Sequence, residues 1–271
     1  GLHREERLAM PLITIDDKSV ETPDGTYILT AAKKAGVAIP TLCQHEALEP
    51  WGGCRLCLVE ITKDAWDGWS RLVTACNFPV EPDLIVKTSS EKVIEARQVV
   101  LDLLLARCPD TPLIEKLAAE YGIKETSYTR NPDPTDCILC GICTRVCDHI
   151  GVSAISSANR GAGREIAPPF GEPPPDCIGC LACAVTCPTD FIPFKENGLT
   201  RSIWNREFEM LRCSRCGTAH ITQDEAAHFA RRQGVPESYF ETCDRCKRAE
   251  QAELFRKLDP MAGDPPVIGS R

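Results

Sequence analysis

The apolar positions change their rhythm along the chain. "LITI" at 12–15 and "SVET" at 19–22 read as short strands around the turn "DDK", and "PDG" at 23–25 is a second turn. "ILTAAKKAG" then reads as a short helix closed by Gly36. Beyond Cys57, "LVEI", "RLVTA" and "LIVKT" are three more strand patterns. This stretch predicts a small mixed sheet with one helix packed across it. From Ser89 the period lengthens. Val93, Ala96, Val100, Leu103 and Leu104 mark the predicted apolar face of a helix that stops before Pro109. A second helix follows, with Thr111 as N-cap, Pro112 at the first helical position and Gly122 as the stop. "KETSYTRNPDPTD" reads as a linker and "PPFGEPPPD" as a rigid, non-helical stretch. After about residue 200 the pattern predicts a charged, helical region, with "DEAAHFARRQG" and "RAEQAELFRKL" as its helices.

Composition changes the picture through cysteine. The 271 residues are 43% hydrophobic and 26% charged, which fits globular domains, and 17 are cysteine. The net charge of −8 argues against the basic surface that nucleic acid needs. No apolar run reaches the roughly 18 residues of a membrane span. "GLHREERLAM" lacks the apolar centre of an export signal. Met10 reads as an alternative start, with residues 1–9 as a loose tail. The expected compartment is the reducing cytoplasm, where paired cysteines hold metal rather than disulfides.

The cysteines sort by arithmetic. Cys43, Cys54, Cys57 and Cys76 make four. Cys137, Cys140, Cys143 and Cys147 with Cys177, Cys180, Cys183 and Cys187 make eight. Cys213, Cys216, Cys243 and Cys246 make another four, and Cys108 remains. Multiples of four are what tetrathiolate sites require.

The group of eight is one pattern repeated. "CILCGICTRVC" and "CIGCLACAVTCP" share the bacterial ferredoxin spacing, in which the fourth cysteine of each run ligates the other cluster. One [4Fe-4S] cluster is thereby expected on Cys137, Cys140, Cys143 and Cys187. A second is expected on Cys177, Cys180, Cys183 and Cys147. Gly141 and Gly179 are expected to allow close backbone approach. Zinc is the alternative at these runs. Cys147 precedes Asp148 where the pattern has proline, which bears on packing and potential rather than ligation.

In the first group, Cys54-x2-Cys57 with two outlying cysteines fits a [2Fe-2S] cluster on a loop, with zinc as the alternative. The amides at Gly52 and Gly53 are expected to face the sulfurs, and Arg55 to offset their charge. His45 reads as a loop hydrogen bonder and Cys108 as a buried, inert thiol. "NRGAGRE" reads as a plain loop rather than a phosphate loop.

The segment "IPTLCQHEALEPWGGCRLCLVEI", followed by the two runs, resembles the N-terminal part of the large iron–sulfur subunit of respiratory complex I. It also resembles the small diaphorase subunit of NAD-reducing hydrogenases. The resemblance covers roughly residues 12–195. It implies an α+β chain with a β-grasp [2Fe-2S] domain, a helical connector and a two-[4Fe-4S] ferredoxin module. It departs in two places. "KDAWDGWSR" enlarges the loop between Cys57 and Cys76. Residues 89–136 also lack the one-histidine, three-cysteine motif that often holds a further cluster in that family, so complex I's electron path does not carry over directly.

The expected domains are 10–88, 89–131, 132–200 and a C-terminal module at 201–271. In that last module Cys213, Cys216, Cys243 and Cys246 read as a zinc-ribbon-like site for one Zn²⁺. A further [4Fe-4S] cluster and a rubredoxin-like iron are the alternatives. Arg212, Arg215, Arg245, Lys247 and Arg248 are expected to moderate its charge.

The expected function is that of a non-catalytic electron-transfer subunit in a hetero-oligomeric oxidoreductase. The resemblance implies an NAD(H)-linked flavoprotein as one partner. A hydrogenase, formate dehydrogenase or benzoyl-CoA-reductase-type enzyme would be the other. A free-standing soluble polyferredoxin-like carrier is the alternative. A transcriptional sensor is disfavoured by the acidic charge, and a succinate dehydrogenase iron–sulfur subunit by the long gap from Cys43 to Cys54.

Overall fold

A computed structural model describes residues 10–258. The tail expected over residues 1–9 lies outside them. The chain divides into two compact units. The first runs to Gly171 and takes back Ala182–Ile192; the second consists of Glu172–Leu181 and the chain from Pro193 on.

The first unit opens with β1 (Leu12–Ile15), β2 (Lys18–Glu21), α1 (Ile28–Lys34), β3 (Leu58–Thr62), β4 (Arg71–Thr74) and β5 (Ile85–Lys87). The strands form one sheet in the order β2-β1-β5-β3-β4. The β1–β5 pair is parallel and the other pairs are antiparallel. Alternation in "LITI" puts Ile13 and Ile15 inward, where they share a core with Ile28, Ala31, Val59, Ile61 and Val86. Each of these isoleucines and valines contributes roughly 1.5–3 kcal/mol by leaving water. Asp16, left-handed in the β1–β2 turn, accepts from the Thr88 amide and hydroxyl at 2.8 Å each, tying that turn to the end of β5. The enlarged loop after β3 carries a 3-10 turn at Asp64–Trp66, and Trp66 packs edge-on against Trp69.

Helices α2 (Glu91–Arg107) and α3 (Pro112–Glu120) follow. The buried face of α2 is Val93, Arg97, Leu101, Leu105 and Ala106, which corrects the expected stripe; Leu103 is half exposed. The true face advances by four residues per step, and a buried arginine occupies one of those steps. Arg97 donates to the Leu58 carbonyl at 2.6 Å and to the Tyr121 hydroxyl at 3.0 Å. Thr111 precedes α3 as expected but does not cap it with its side chain. Its hydroxyl instead donates to Asp136 Oδ1 at 2.6 Å. Helix α4 (Ile142–His149), the hairpin β6 (Ser156–Ala158) and β7 (Glu165–Ala167), and the short α5 (Ala182–Val185) complete this unit. Gly161–Gly163 form one 3-10 turn in the hairpin connection.

The second unit holds β8 (Phe194–Glu196), β9 (Thr200–Ile203), β10 (Arg206–Arg212) and β11 (Ala219–Thr222) in an antiparallel sheet of order β11-β10-β9-β8. The helical pattern expected after about residue 200 is corrected by this sheet, which precedes the two helices. The short strands are dense in charge, but Phe208 and Met210 alternate inward. Asn197 Oδ1 accepts from the amides of Leu199 and Thr200 in the β8–β9 turn. Trp204 and Asn205 are both left-handed, as a two-residue hairpin turn requires. Helix α6 (Gln223–Gln233) starts with a Thr222–Glu225 capping box and ends on left-handed Gly234. Helix α7 (Asp244–Leu258) begins within the last cysteine pair. Among the described residues no helix is long and apolar enough to cross a membrane.

Candidate metal centres

Two connections of the first sheet bring together Cys43, Cys54 and Cys57, on the segment between α1 and β3, and Cys76, just after β4. Cys43, Cys57 and Cys76 are buried and Cys54 is half-buried. The thiols fall into two pairs. Cys43 and Cys54 are hydrogen-bonded, and so are Cys57 and Cys76. In the first pair the Cys43 thiol is pushed up by its partner and by burial, while Cys54 is lowered to about 6. In the second pair Cys57 is raised and Cys76 lowered for the same first reason, the shared hydrogen bond. Backbone amides also face these sulfurs: Gly53 that of Cys43, Leu42 and Leu56 that of Cys54, and Gly52 that of Cys76.

The glycines here have a steric reason. A Cβ on left-handed Gly52 would meet Asn77 Nδ2 at 2.7 Å, and one on Gly53 would meet Trp51 Nε1 at 2.1 Å. Two thiolate pairs, ringed by N–H donors and drawn from water, are the donor set of a two-iron site. Arg55 is exposed. His45 Nδ1 accepts from the Ala47 amide at 3.2 Å, a loop role.

The first run starts where Arg107 Nε, at the end of α2, donates to the Cys137 carbonyl at 2.9 Å. Cys143 and Cys147 ride on α4. Burial raises Cys137, Cys140 and Cys147, and pushes Cys143 up to about 12. The amides of Leu139, Ile142 and Thr144 counter this at Cys137, Cys140 and Cys143 respectively. At Cys147 the Ala154 amide does so, 3.3 Å from the sulfur. The charge of Cys187 is felt at both Cys137 and Cys140, so the last cysteine of the second run stands by the first run.

Sequence reasoning missed Arg145. It projects from α4 between two cysteines of the run, and its Nη1 donates to the Cys43 carbonyl at 3.0 Å. Its Nη2 donates to the Glu49 carbonyl, and the guanidinium lies over the Trp51 ring at 5.4 Å. The loop of the first four cysteines is thereby fastened to α4. The charge of Cys54 is also felt at Cys140. The arginine in "TRVC" was a visible signal, but its partners lie about a hundred residues back in the chain.

The backbone repeats as the spacing does. In the first run Leu139 and Gly141 are left-handed; in the second, Gly179 and Leu181 are. These are the same two positions with glycine and leucine exchanged. Gly141 and Gly179 are therefore not counterparts. Each run tolerates one leucine where the chain must turn its amides, at a cost of about 1 kcal/mol. Cys177 and Cys180 belong to the second unit, and Cys183 and Cys187 to the first. Cys187 Sγ lies 3.6 Å from Thr189 Oγ1.

In the second unit, Cys213, Cys216, Cys243 and Cys246 place all four sulfurs within 4.8 Å of one another. Cys216 and Cys243 are 3.8 Å apart, and the Cys243 amide reaches Cys213 Sγ at 3.3 Å. Hydrogen bonds from Thr218 lead in lowering Cys216 to about 5, and the Cys243 amide leads in lowering Cys213. Cys246 is raised to about 12, chiefly by its hydrogen bond with Cys243. Of the five basic neighbours, Arg245 bonds the Cys216 sulfur. Arg215 pairs with Glu250, Lys247 sits over Tyr239 at 3.5 Å, and Arg248 Nε donates to the Asp244 carbonyl. Cys108 is a buried thiol raised to about 11, chiefly by desolvation and to a lesser degree by the charge of Cys137.

Comparison with known proteins agrees with this geometry. Residues 11–91 match the 2Fe-2S iron–sulfur cluster binding domain. The chain is 37% identical over 217 residues to the NADPH-Fe(3+) oxidoreductase subunit alpha of Geobacter sulfurreducens, covering 70% of this chain and 25% of that protein. It is 33% identical over 213 residues to the NADP-reducing hydrogenase subunit HndD of Solidesulfovibrio fructosivorans, covering 67% and 36%. It is 33% identical over 187 residues to the mitochondrial NADH-ubiquinone oxidoreductase 78 kDa subunit of Neurospora crassa, covering 59% and 24%. A chain of a crystal structure of an NAD+-reducing [NiFe]-hydrogenase in the H2-reduced state is similar at 29% identity and a TM-score of 0.51, over 59% of this chain and 76% of that one. The chain is thus an α+β protein with a 2Fe-2S domain, and it resembles subunits of complex I and of NAD-reducing hydrogenases. It spans about a quarter to about a third of the length of these curated relatives.

Proposed function

We propose that this chain is an electron-transfer iron–sulfur subunit. It would relay single electrons between an NAD(P)H-linked flavoprotein and a second redox enzyme in a hetero-oligomeric cytoplasmic complex. The observation that carries this reading is the joining of two cysteine sites by Arg145, with Cys54 and Cys140 close enough to act on each other's charge. The relatives' names supply the nicotinamide-linked setting. Clusters bound at these cysteines supply one-electron chemistry. The chain's own residues bury the sulfurs, aim amides at them and hold neighbouring sites together.

The sheet with its parallel centre pair and single helix supports the β-grasp reading of the 2Fe-2S domain. The hydrogen-bonded pairs support a reading with Cys43 and Cys54 on one iron and Cys57 and Cys76 on the other. The ferredoxin spacing assigns Cys137, Cys140, Cys143 and Cys187 to one [4Fe-4S] cluster, and the effect of Cys187 on Cys137 supports that crossing. Spacing likewise assigns Cys177, Cys180, Cys183 and Cys147 to the other. The experiment is reduction of the isolated chain. Dithionite should reduce it, and NADH alone should not. Sustained NADH oxidation by the flavin-free chain would end the relay reading.

The C-terminal four are assigned one structural Zn²⁺. Four thiolates sharing one ion at about 2.3 Å stand about 3.8 Å apart in a tetrahedron. The Cys216–Cys243 separation is 3.8 Å. In a [4Fe-4S] cube each thiolate sits on its own iron, so the four must spread wider than one ion's shell. Metal analysis of anaerobically purified protein checks the assignment. One zinc and about ten irons per chain are expected, from two irons plus twice four. About fourteen irons without zinc would overturn it.

A further inference from the structure

The second unit grips the segment carrying Cys177 and Cys180 by its carbonyls. Arg206, the first residue of β10, directs Nη1 at the carbonyls of Pro174 (3.0 Å), Pro175 (2.5 Å) and Cys177 (2.7 Å). Asp224 holds its Nη2 at 2.9 Å, and its guanidinium lies over the Phe208 ring at 4.8 Å. Thr222, fully buried at the end of β11, donates its hydroxyl to the Ile178 carbonyl at 2.6 Å. Arg201 of β9, also buried, donates to the Gly179 carbonyl at 2.8 Å and is itself held by Glu196 and Glu225. Phe208 closes the grip. A Cβ on left-handed Gly179 would stand 2.7 Å from its ring.

Five carbonyls of one short loop are thus taken by three side chains of one sheet. A trans peptide is planar, so fixing its C=O on one side fixes the next N–H on the other. Holding the carbonyls of Cys177, Ile178 and Gly179 sets the amides of Ile178, Gly179 and Cys180. Amides aimed at cluster sulfurs are a principal control of reduction potential.

The sheet is itself fastened at its far end. Strands β10 and β11 are antiparallel, with Met210 opposite Thr222. Between them the chain turns through Cys213–Cys216, where the Cys213 amide donates to Thr218 and the Gly217 amide to Cys213. Arg206 and Thr222 therefore lie on the two strands of a hairpin whose tip is the four-cysteine site.

We infer that Arg206 and Thr222 are positioning residues for the cluster served by Cys177 and Cys180. The four-cysteine ion is the pin that keeps their hairpin in place. This rests on the ligand and zinc assignments above. The C-terminal module is then a support for the second cluster, not a further stop on the electron path.

The test is a redox titration of the full-length, anaerobically purified chain followed by electron paramagnetic resonance, with metal analysis of each variant. Arg206→Gln and Thr222→Val should shift the potential of one [4Fe-4S] cluster and speed its loss in air several-fold. The other [4Fe-4S] cluster and the [2Fe-2S] cluster should keep their wild-type values. Thr222→Ser should restore the potential and Arg206→Lys should restore part of it, which separates positioning from misfolding. Cys216→Ser, with its zinc gone, should reproduce the selective change. Equal change in all clusters, or none in any, overturns the positioning role. A wild-type potential in Cys216→Ser overturns the pin. Iron found at the four cysteines overturns only the zinc assignment, because the Arg206 and Thr222 variants do not depend on which ion is bound.

Discussion

The two cysteine runs share spacing and the same two left-handed positions, yet different parts of the chain hold them. The first is held from the helical and 2Fe-2S side, by Arg107 on the Cys137 carbonyl and by Asp136 under Thr111. Its own Arg145 reaches out to the Cys43 loop. At the equivalent place in the second run stands Val185, 75% exposed. The second run's leading loop is held instead by Arg201, Arg206 and Thr222. In the proposed reading, spacing sets which thiolates share a cluster, because the cube requires that geometry. It leaves anchorage free, so each run takes donors from whatever folds beside it.

The largest effect should come from breaking the exchange of fourth ligands. Cys187→Ser should damage the cluster assigned to Cys137, Cys140 and Cys143, and iron should fall from about ten toward about six per chain. Cluster-resolved spectroscopy decides this. Loss confined to the cluster of Cys177, Cys180 and Cys183 would show that the runs are not crossed.

Next come the two glycines, which occupy different places in the repeat. Gly179→Ala drives a methyl into Phe208 and adds left-handed strain, for roughly 2–4 kcal/mol in sum. Gly141→Ala meets nothing nearer than 3.9 Å and carries the strain alone, about 1 kcal/mol. Calorimetry should therefore rank Gly179→Ala several degrees below Gly141→Ala. Equal melting temperatures would mean that Phe208 does not bear on the loop.

A smaller effect is expected where the runs differ outright. Arg145→Gln removes charge-assisted bonds from a half-buried side chain to the Cys43 and Glu49 carbonyls, together worth about 1.5–3 kcal/mol. Hydrogen exchange across residues 43–51 should rise about tenfold or more, since 1.4 kcal/mol is a factor of ten. Arg145→Lys should recover part of the protection, because lysine keeps the charge but loses the fork. Val185→Ala should change nothing in that loop. Unaltered exchange in Arg145→Gln would remove the joint on which the relay reading leans.

What was legible in the sequence follows the same division. The alternation in "LITI", the helix "ILTAAKKAG" and the doubled run are local patterns, and the structure has its elements there. The buried face of α2 was misread because Arg97 replaces an apolar residue, and no periodicity credits a charged side chain as core. The C-terminal sheet was hidden because its strands are short and charged, although "ENGLT" is a hairpin turn and "FEM" alternates. Arg145, Arg201 and Arg206 were beyond reach for another reason. Each bonds backbone carbonyls distant in sequence, and a carbonyl carries no residue-type signal.

The smallest effect sharpens the comparison at the residue before each run. Aspartate precedes both first cysteines, as Asp136 and Asp176. Asp136 accepts from the buried Thr111 hydroxyl at 2.6 Å, so it links the start of α3 to the lead-in of the first run. Asp176 is exposed, and the carbonyls on either side of it, at Pro175 and Cys177, are held by Arg206. The second lead-in thus has a backbone anchor where the first has a side-chain one. Asp136→Ala should cost about 1–2 kcal/mol, because the Thr111 hydroxyl loses its acceptor in a buried place. Thr111→Val removes the donor along with the need for it, and should cost less. Asp176→Ala should stay within about 0.5 kcal/mol, as for an exposed substitution away from such features. Denaturant unfolding of the three variants gives the order directly. A loss in Asp176→Ala as large as in Asp136→Ala would show that both lead-ins depend on their carboxylates, and that the contrast in anchorage does not extend to this residue.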